Sequence, residues 1–296
     1  MRAAVVREFG GPEAVEIAEV AVPEPGAGQV RIKVAAGALN PVDLAVRSGL
    51  FGGAGKTLGL GWDVAGTVDA VGVAAAWQVG DEVVALADGV TDPLGSHAEY
   101  VLVAADAVAK APATVDAVHA GTLPLNGLTA LQALDLLDLP RGGSLLVTGA
   151  AGAVGGFAAQ LAAHRGIEVT GVAREADAEL VRSLGAAPVT AGEVAPGSVD
   201  AVLDAAVLGG PALAWVRDGG AFAAVRGGAL PAAERGVRTE NVWVRPSGPQ
   251  LAELARLVDE GVLTLRVAET YALEEAAKAH ARLSGGGVRG RLVLVP

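Results

Sequence analysis

The chain contains no cysteine in 296 residues. Disulfides and thiolate metal ligands are thereby excluded, while the redox state of its compartment is left open. Aromatic residues make up only 3%, so any core must be built from Val, Leu and Ala. Lysine is scarce: Lys33, Lys56, Lys110 and Lys278 leave the rest of the 22 basic residues to arginine. An excess of positive charge is also missing. The net charge of −11 opposes binding to a nucleic-acid backbone or an anionic membrane surface. No convincing membrane span appears either. The uncharged run from Gly142 to Ala163 is long enough to raise the question, but it holds six glycines and begins like a strand. The opening MRAAVVREFGG lacks the apolar stretch of a signal peptide, so a cytoplasmic location is expected.

At this length about two domains are expected. From Met1 to about Pro112 short apolar and alternating runs (AAVVREF, AVEIAEVAVP, GQVRIKVAAGAL, GTVDAVG, GDEVVAL) are punctuated by Gly and Pro, the pattern of a small β-barrel. The pattern changes near Val115. DAVHAGTLPLNGLTALQALDLLD has helical spacing with a break expected around Pro124 to Gly127. Strands (SLLVT, IEVTGVAR, VDAVLDAAV, GGAFAAVRGG, TENVWVRP) then alternate with helical stretches, which predicts a doubly wound parallel sheet, an α/β fold. LAELARLVDEG reads as a long helix, and the final RGRLVLVP resembles the barrel strands.

Between SLLVT and the small-residue helix that follows stand Gly149, Gly152 and Gly155, spaced G-x-x-G-x-x-G. In a strand-turn-helix unit such residues let the backbone approach a pyrophosphate held by the N–H groups at the helix start. Spacing alone also fits a tight turn with no ligand. The tip of the next strand, about 20 residues on, is where an acidic residue would hold a ribose 2′-OH. The residues there are Gly171, Val172, Ala173 and Arg174, with Glu175 immediately after. A guanidinium at that place pairs with a 2′-phosphate, so NADPH is expected over NADH.

Taken together, these stretches resemble a zinc-free member of the medium-chain dehydrogenase/reductase superfamily, in the quinone oxidoreductase (zeta-crystallin-like) group. The resemblance is carried by REFGGPEAVEIAEVAVPEPGAGQVRIKVAAGALNPVDLAVRSG, GWDVAGTVDAVG, GDEVVAL, PLNGLTALQAL, VTGAAGAVGGFAAQLA and VRGRLVLV, in that order. It implies a GroES-like β-barrel over residues 1–117 and 266–296, and a Rossmann domain over 118–265, with the cofactor in the cleft between them. It further implies that Gly149, Ala151, Gly152, Ala153, Val154 and Gly155 form the pyrophosphate loop. Asn126 and Thr129 would then lie beside the nicotinamide, with Asn40 across from them.

In the zinc branch of the superfamily the matching segments carry metal ligands. Here they hold Asn40 and Trp62, and an indole cannot ligate zinc. The expectation is therefore no metal. Hydride transfer to a quinone or an α,β-unsaturated carbonyl compound requires hydrogen-bond donors for the developing oxyanion rather than a Lewis acid. Asn40 and Thr129 are the candidate catalytic residues, and Phe51 and Trp62 a candidate apolar wall for a flat substrate. Asp43 and Asp63 read as structural carboxylates bonded to backbone or to Arg47, and His97 as a surface or strand residue. The implied activity is NADPH-dependent quinone or enone reduction by a homodimer. A dedicated enoyl or polyketide-intermediate reductase and a non-catalytic NADPH-binding sensor or structural protein are the alternatives.

Overall fold

The computed structural model describes residues 1–89, 92–228 and 230–296. The chain divides into two compact units: Met1–Leu125 with Arg245–Asp259 and Leu265–Pro296, and Asn126–Val244 with Glu260–Thr264.

In the first unit the strands are β1 (Arg2–Val6), β2 (Glu16–Glu19), β3 (Gln29–Ala38), β4 (Leu58–Gly59), β5 (Asp63–Val71), β6 (Glu82–Leu86), β7 (Tyr100–Ala104) and β8 (Val108–Lys110). Helix α1 (Pro41–Arg47) follows β3, and α2 (Ala117–Ala120) follows β8. One sheet has the order β2-β1-β4. The larger one is organised on β3, which pairs antiparallel with both β5 and β7. Alternate residues of β3 (Val30, Ile32, Val34, Ala36 and Ala38) are buried, as a strand with one face on a core requires. Val30, Ile32 and Val34 pack with Val64, Val68, Val83, Val101 and Val103, and Ala36 and Ala38 with Val293, an aliphatic core of the kind the composition predicts.

The second unit begins inside α3 (Pro124–Leu137) and continues through β9 (Ser144–Thr148), α4 (Ala153–His164), β10 (Glu168–Val172), α5 (Ala178–Ser183), β11 (Ala187–Val189), β12 (Val199–Asp204), α6 (Gly210–Leu213), β13 (Val216–Ala224) and β14 (Arg238–Asn241). Every pairing in this sheet is parallel, and the strand order is β11-β10-β9-β12-β13-β14. Numbered within the sheet this is 3-2-1-4-5-6, with the reversal of direction between β9 and β12. The chain then adds α7 (Gly248–Asp259), β15 (Val267–Ala272), α8 (Ala276–Ser284) and β16 (Arg291–Val295) to the first unit. Strand β16 pairs with β3 at Ala38 and Gly37, as its sequence predicted.

Three local expectations need correction. Helix α3 starts at Pro124 and runs through Gly127 instead of breaking there, because proline suits the first helical turn, where its missing N–H is no loss. The strand expected over TENVWVRP is paired only as far as Asn241. The domain boundaries also differ from 118 and 265: residues up to Leu125, and all of α7, belong with the barrel. Helix α7 is fixed there at both ends. A Cβ on Gly248 would lie 2.5 Å from the Val108 carbonyl oxygen, and Asp259 accepts from the Thr114 N–H at 2.9 Å. Its apolar face (Leu251, Leu254, Ala255 and Val258) is buried. Among the described residues no helix is long and apolar enough to cross a membrane.

Candidate active site

The glycine loop lies at the C-terminal end of β9. Gly149 sits at φ +59°, a left-handed conformation that favours glycine. Gly152 precedes α4 in extended conformation and offers no side chain to its first turn. A Cβ on Gly155 would stand 2.3 Å from the Gly149 carbonyl oxygen and 2.8 Å from its carbon, so only glycine lets α4 close onto the turn. The first N–H groups of a helix have no partner within it, and here Gly152, Ala153 and Val154 are exposed or half-buried around them. Backbone donors at a glycine-rich helix N-terminus are the chemistry a pyrophosphate requires.

Arg174 lies just beyond β10, which ends at Val172, at the tip expected from the run IEVTGVAR. Its Nε donates to Asp177 Oδ2 at 2.9 Å, yet the Arg174 side chain remains 71% exposed while Asp177 is buried. The pairing fixes the Nε edge of the guanidinium, while most of the side chain stays open to solvent.

On the other side of β9 the sequence reading missed an interlocked pair. Thr148 Oγ1 donates to Asp204 Oδ1 at 2.6 Å and accepts from the Ala206 N–H at 2.9 Å. Asp204 Oδ2 accepts from the Gly209 N–H at 2.8 Å. The turn so held contains Val207 at φ +61°, a conformation that costs a β-branched residue. It approaches the glycine loop directly, since a Cβ on Gly149 would lie 3.3 Å from Ala206 Cβ. Strain held by a buried carboxylate beside a binding loop is common at functional sites. Asp204 ends the run VDAVLD, and an acid closing a buried strand was the available signal.

Asn126 and Thr129 are both buried on α3. Three residues apart, they share one face of the helix.

In the barrel, Asn40 is wholly buried and its side chain is committed internally. Its Nδ2 donates to Asp63 Oδ2 at 2.8 Å and to the Ala38 carbonyl at 3.1 Å. Its Oδ1 accepts from Arg291 Nη2 at 2.6 Å, and Arg291 also donates to the Leu39 carbonyl. Both amide hydrogens are thus engaged, and the expectation of Asn40 as a donor to substrate is corrected. It is a connector. Asp43 accepts from the Asn40 N–H at 2.7 Å and the Gly61 N–H at 2.8 Å. Asp63 Oδ1 accepts from the Leu125 N–H at 2.6 Å, and its other oxygen lies 3.7 Å from Arg291. Burial pushes the Asp63 carboxyl up to about 6, against the lowering effect of Arg291 and of the hydrogen bonds it accepts. Burial raises Asp43 as well.

Both carboxylates are bonded to backbone N–H groups, one of the two expected arrangements, and Arg47 serves neither. It donates to the Gly10 carbonyl and lies 3.4 Å from His280 Nδ1. His97, expected at the surface or in a strand, is buried in a bend before β7, because Gly61 leaves room for it: a Cβ there would fall 2.5 Å from the imidazole. Its ring stands edge-on to His280, with centroids 6.3 Å apart. Trp62, next to Gly61, is half-buried, and Phe51 is exposed in the loop after α1. Among the described residues no group of three or more His, Asp or Glu is placed to hold a metal ion.

Comparison with known proteins agrees with this architecture. Residues 26–113 match the alcohol dehydrogenase GroES-like domain, and residues 175–294 match the zinc-binding dehydrogenase family. The chain is 33% identical to an NADPH-dependent alkenal/one oxidoreductase of Arabidopsis thaliana, covering 100% of this chain and 80% of that protein. It is 31% identical to a quinone oxidoreductase of Pseudomonas aeruginosa, covering 97% of each. The solved quinone oxidoreductase of Coxiella burnetii superposes with a TM-score of 0.90 at 29% identity, over 100% of this chain and 99% of that one. A barrel completed by the C-terminal strand, a parallel sheet of order 3-2-1-4-5-6 and relatives matched along their length place this chain in the medium-chain dehydrogenase/reductase superfamily, within its quinone oxidoreductase group.

Proposed function

We propose that the protein reduces quinones and α,β-unsaturated carbonyl compounds with NADPH. The observation that carries this reading is the glycine loop, whose close packing against the start of α4 fits a dinucleotide pyrophosphate. It is supported by the similarity to an alkenal/one and a quinone oxidoreductase. When bound, NADPH supplies a hydride. The backbone from Gly149 to Gly155 holds its pyrophosphate, with Ala151, Ala153 and Val154 keeping the approach free of bulk. Asn126 and Thr129 flank the nicotinamide, and Phe51 and Trp62 offer apolar surface to a flat acceptor. The acceptor oxygen gains negative charge during reduction and needs donors. Thr129 Oγ1 and backbone N–H groups serve it, because Asn40 has both hydrogens engaged elsewhere. Water supplies the one proton that, with the hydride, completes a hydroquinone. Oxidation of NADPH followed by absorbance, with benzoquinone and with a 2-alkenal, tests the reading. Turnover of at least one is expected, and no oxidation with either sinks it.

Arg174 is the proposed 2′-phosphate ligand, by virtue of its exposed side chain. A charge-assisted hydrogen bond contributes about 1.5–3 kcal/mol, so Arg174→Ala is expected to raise KM for NADPH by about tenfold to a hundredfold. KM for NADH should not change, and an equal change for both cofactors removes Arg174 from this role.

A homodimer belongs to the same proposal. Among the described residues strand β14 pairs only with β13, and Trp243 just beyond it is 70% exposed. An open strand edge beside a large apolar side chain is a natural two-fold contact. Sedimentation should give a dimer for the unmodified protein and a monomer for Trp243→Glu; a monomeric unmodified protein ends this part of the reading. The cytoplasm is the proposed compartment, to be checked by cell fractionation.

A further inference from the structure

We propose that Asp63 is a positioning residue for the nicotinamide end of the site, anchoring the first turn of α3 and thereby setting where Asn126 and Thr129 stand. The inference rests on the reading of those two residues as cofactor neighbours.

A helix start leaves backbone N–H groups without partners, and a side chain just before the helix usually takes one of them. The residue before Pro124 is Leu123, whose side chain has no acceptor. The Leu125 N–H instead donates to a carboxylate from β5, 62 positions away in sequence, at 2.6 Å. A negative charge at this end of a helix also meets the positive end of its dipole. Asn126 is the next residue, and Thr129 stands one turn later. Each residue advances an α-helix by about 100°, so fixing Leu125 fixes the direction in which both side chains leave the axis.

A carboxylate wholly removed from water is costly unless it is paired and hydrogen-bonded. Asp63 meets that requirement with both oxygens: Oδ1 on Leu125, Oδ2 on the Asn40 amide, with the Arg291 guanidinium alongside. Arg291 acts a second time through Asn40. By donating to Oδ1 it settles which way the amide faces, and so turns the N–H₂ group towards Asp63. The groups around the carboxylate are therefore Asn40 from the start of α1, Arg291 from β16, Leu125 from α3, and the neighbouring charge of Asp43. The arrangement is a relay of fixed orientation from the C-terminal strand to the head of α3. None of these atoms needs to touch the cofactor.

The test uses the full chain. In the protein without cofactor, amide hydrogen exchange of a peptide covering residues 121–130 reads the anchor directly. Asp63→Asn is expected to speed exchange there by about tenfold or more, the opening of a held helix end. With NADPH, the same variant should lower kcat about tenfold and reduce the fluorescence gain of bound nicotinamide, while affinity for 2′,5′-ADP, which lacks the nicotinamide, stays within about twofold. General damage to the fold would lower that affinity too. Unchanged exchange, or unchanged kcat and fluorescence, in the folded Asp63→Asn protein would overturn the inference. Should Asp63→Asn not fold, Asp63→Glu keeps the charge but lengthens the arm. It is expected to show the same split more weakly, and a folded Asp63→Glu protein indistinguishable from the unmodified one overturns the inference equally. Asn126→Ala separates the inference from its foundation. If Asn126→Ala leaves fluorescence and kcat intact, the assignment of α3 to the nicotinamide fails. If it lowers both while Asp63→Asn does not, only the role of Asp63 fails.

Discussion

Gly155→Ala is expected to weaken NADPH binding about a hundredfold or more while removing only about 1–3 kcal/mol of stability. The added methyl carbon would lie 2.3 Å from the Gly149 carbonyl oxygen and 3.0 Å from Ala150 Cα, and both are backbone atoms with no rotamer to adopt. The head of α4 must therefore move away from β9. The N–H groups proposed to hold the pyrophosphate move with it, and the loss of two charge-assisted hydrogen bonds at about 1.5–3 kcal/mol each accounts for the weakening. Gly152→Ala makes a graded comparison. Its Cβ would meet the same oxygen at 3.0 Å, from a φ of −74° that any residue adopts. A loss of about tenfold is expected there. Fluorescence titration with NADPH beside thermal melting checks both, and a folded Gly155→Ala protein with unaltered affinity removes the loop from cofactor binding.

The second large effect is a dependence of stability on pH centred on His280. Burial, with His97 and Arg47 nearby, depresses its pKa from 6.5 to about 3. A depressed value means that the native state resists protonation. The stability associated with a neutral His280 is complete above pH 6.5 and declines as pH falls towards 3, at about 1.4 kcal/mol per unit. Asp63 acts in the opposite sense, because its raised value favours the native state as it takes up a proton below about 6. The two slopes overlap, so the unmodified protein alone does not separate them. His280→Asn keeps an acceptor for Arg47 and removes the titration. Urea unfolding of both proteins should show their stability difference changing by about 3 kcal/mol between pH 7 and pH 4. A difference independent of pH refutes the assignment to His280.

What the sequence revealed, and what it concealed, follow from the range of the interactions. The loop at Gly149 to Gly155 was readable because its requirement is local: a strand, a turn without Cβ atoms and a helix, all within about a dozen residues. Arg174 was readable because strand length places the tip of β10. The core was foreseeable as aliphatic, since there was little else to build it from. The network around Asn40 was not readable in the same way. Its partners, Asp63, Leu125 and Arg291, are spread over 251 positions, and each alone looks unremarkable in its own segment. Arg291 opens the apolar run RLVLV, and nothing in that segment marks it as buried, which it is. His97 was misplaced for a related reason: the space that buries it is created by an absent side chain at Gly61. The amide of Asn40 was correctly seen as a hydrogen-bonding group, but only the folded chain reveals that its hydrogens are already in use.

The pairing of β16 with β3 has a consequence for synthesis on the ribosome. Residues 126–244 emerge as a nearly continuous parallel sheet, whereas the barrel is assembled from segments at both ends of the chain. Until Arg291 to Val295 leave the exit tunnel, the edge of β3 at Gly37 and Ala38 has no partner, and Asn40 lacks the cation that orients it. An unpaired edge is adhesive towards other chains, and domains generally fold as units during translation. The nascent protein is therefore vulnerable to aggregation until β16 has emerged, and a translational pause before that point would prolong the interval.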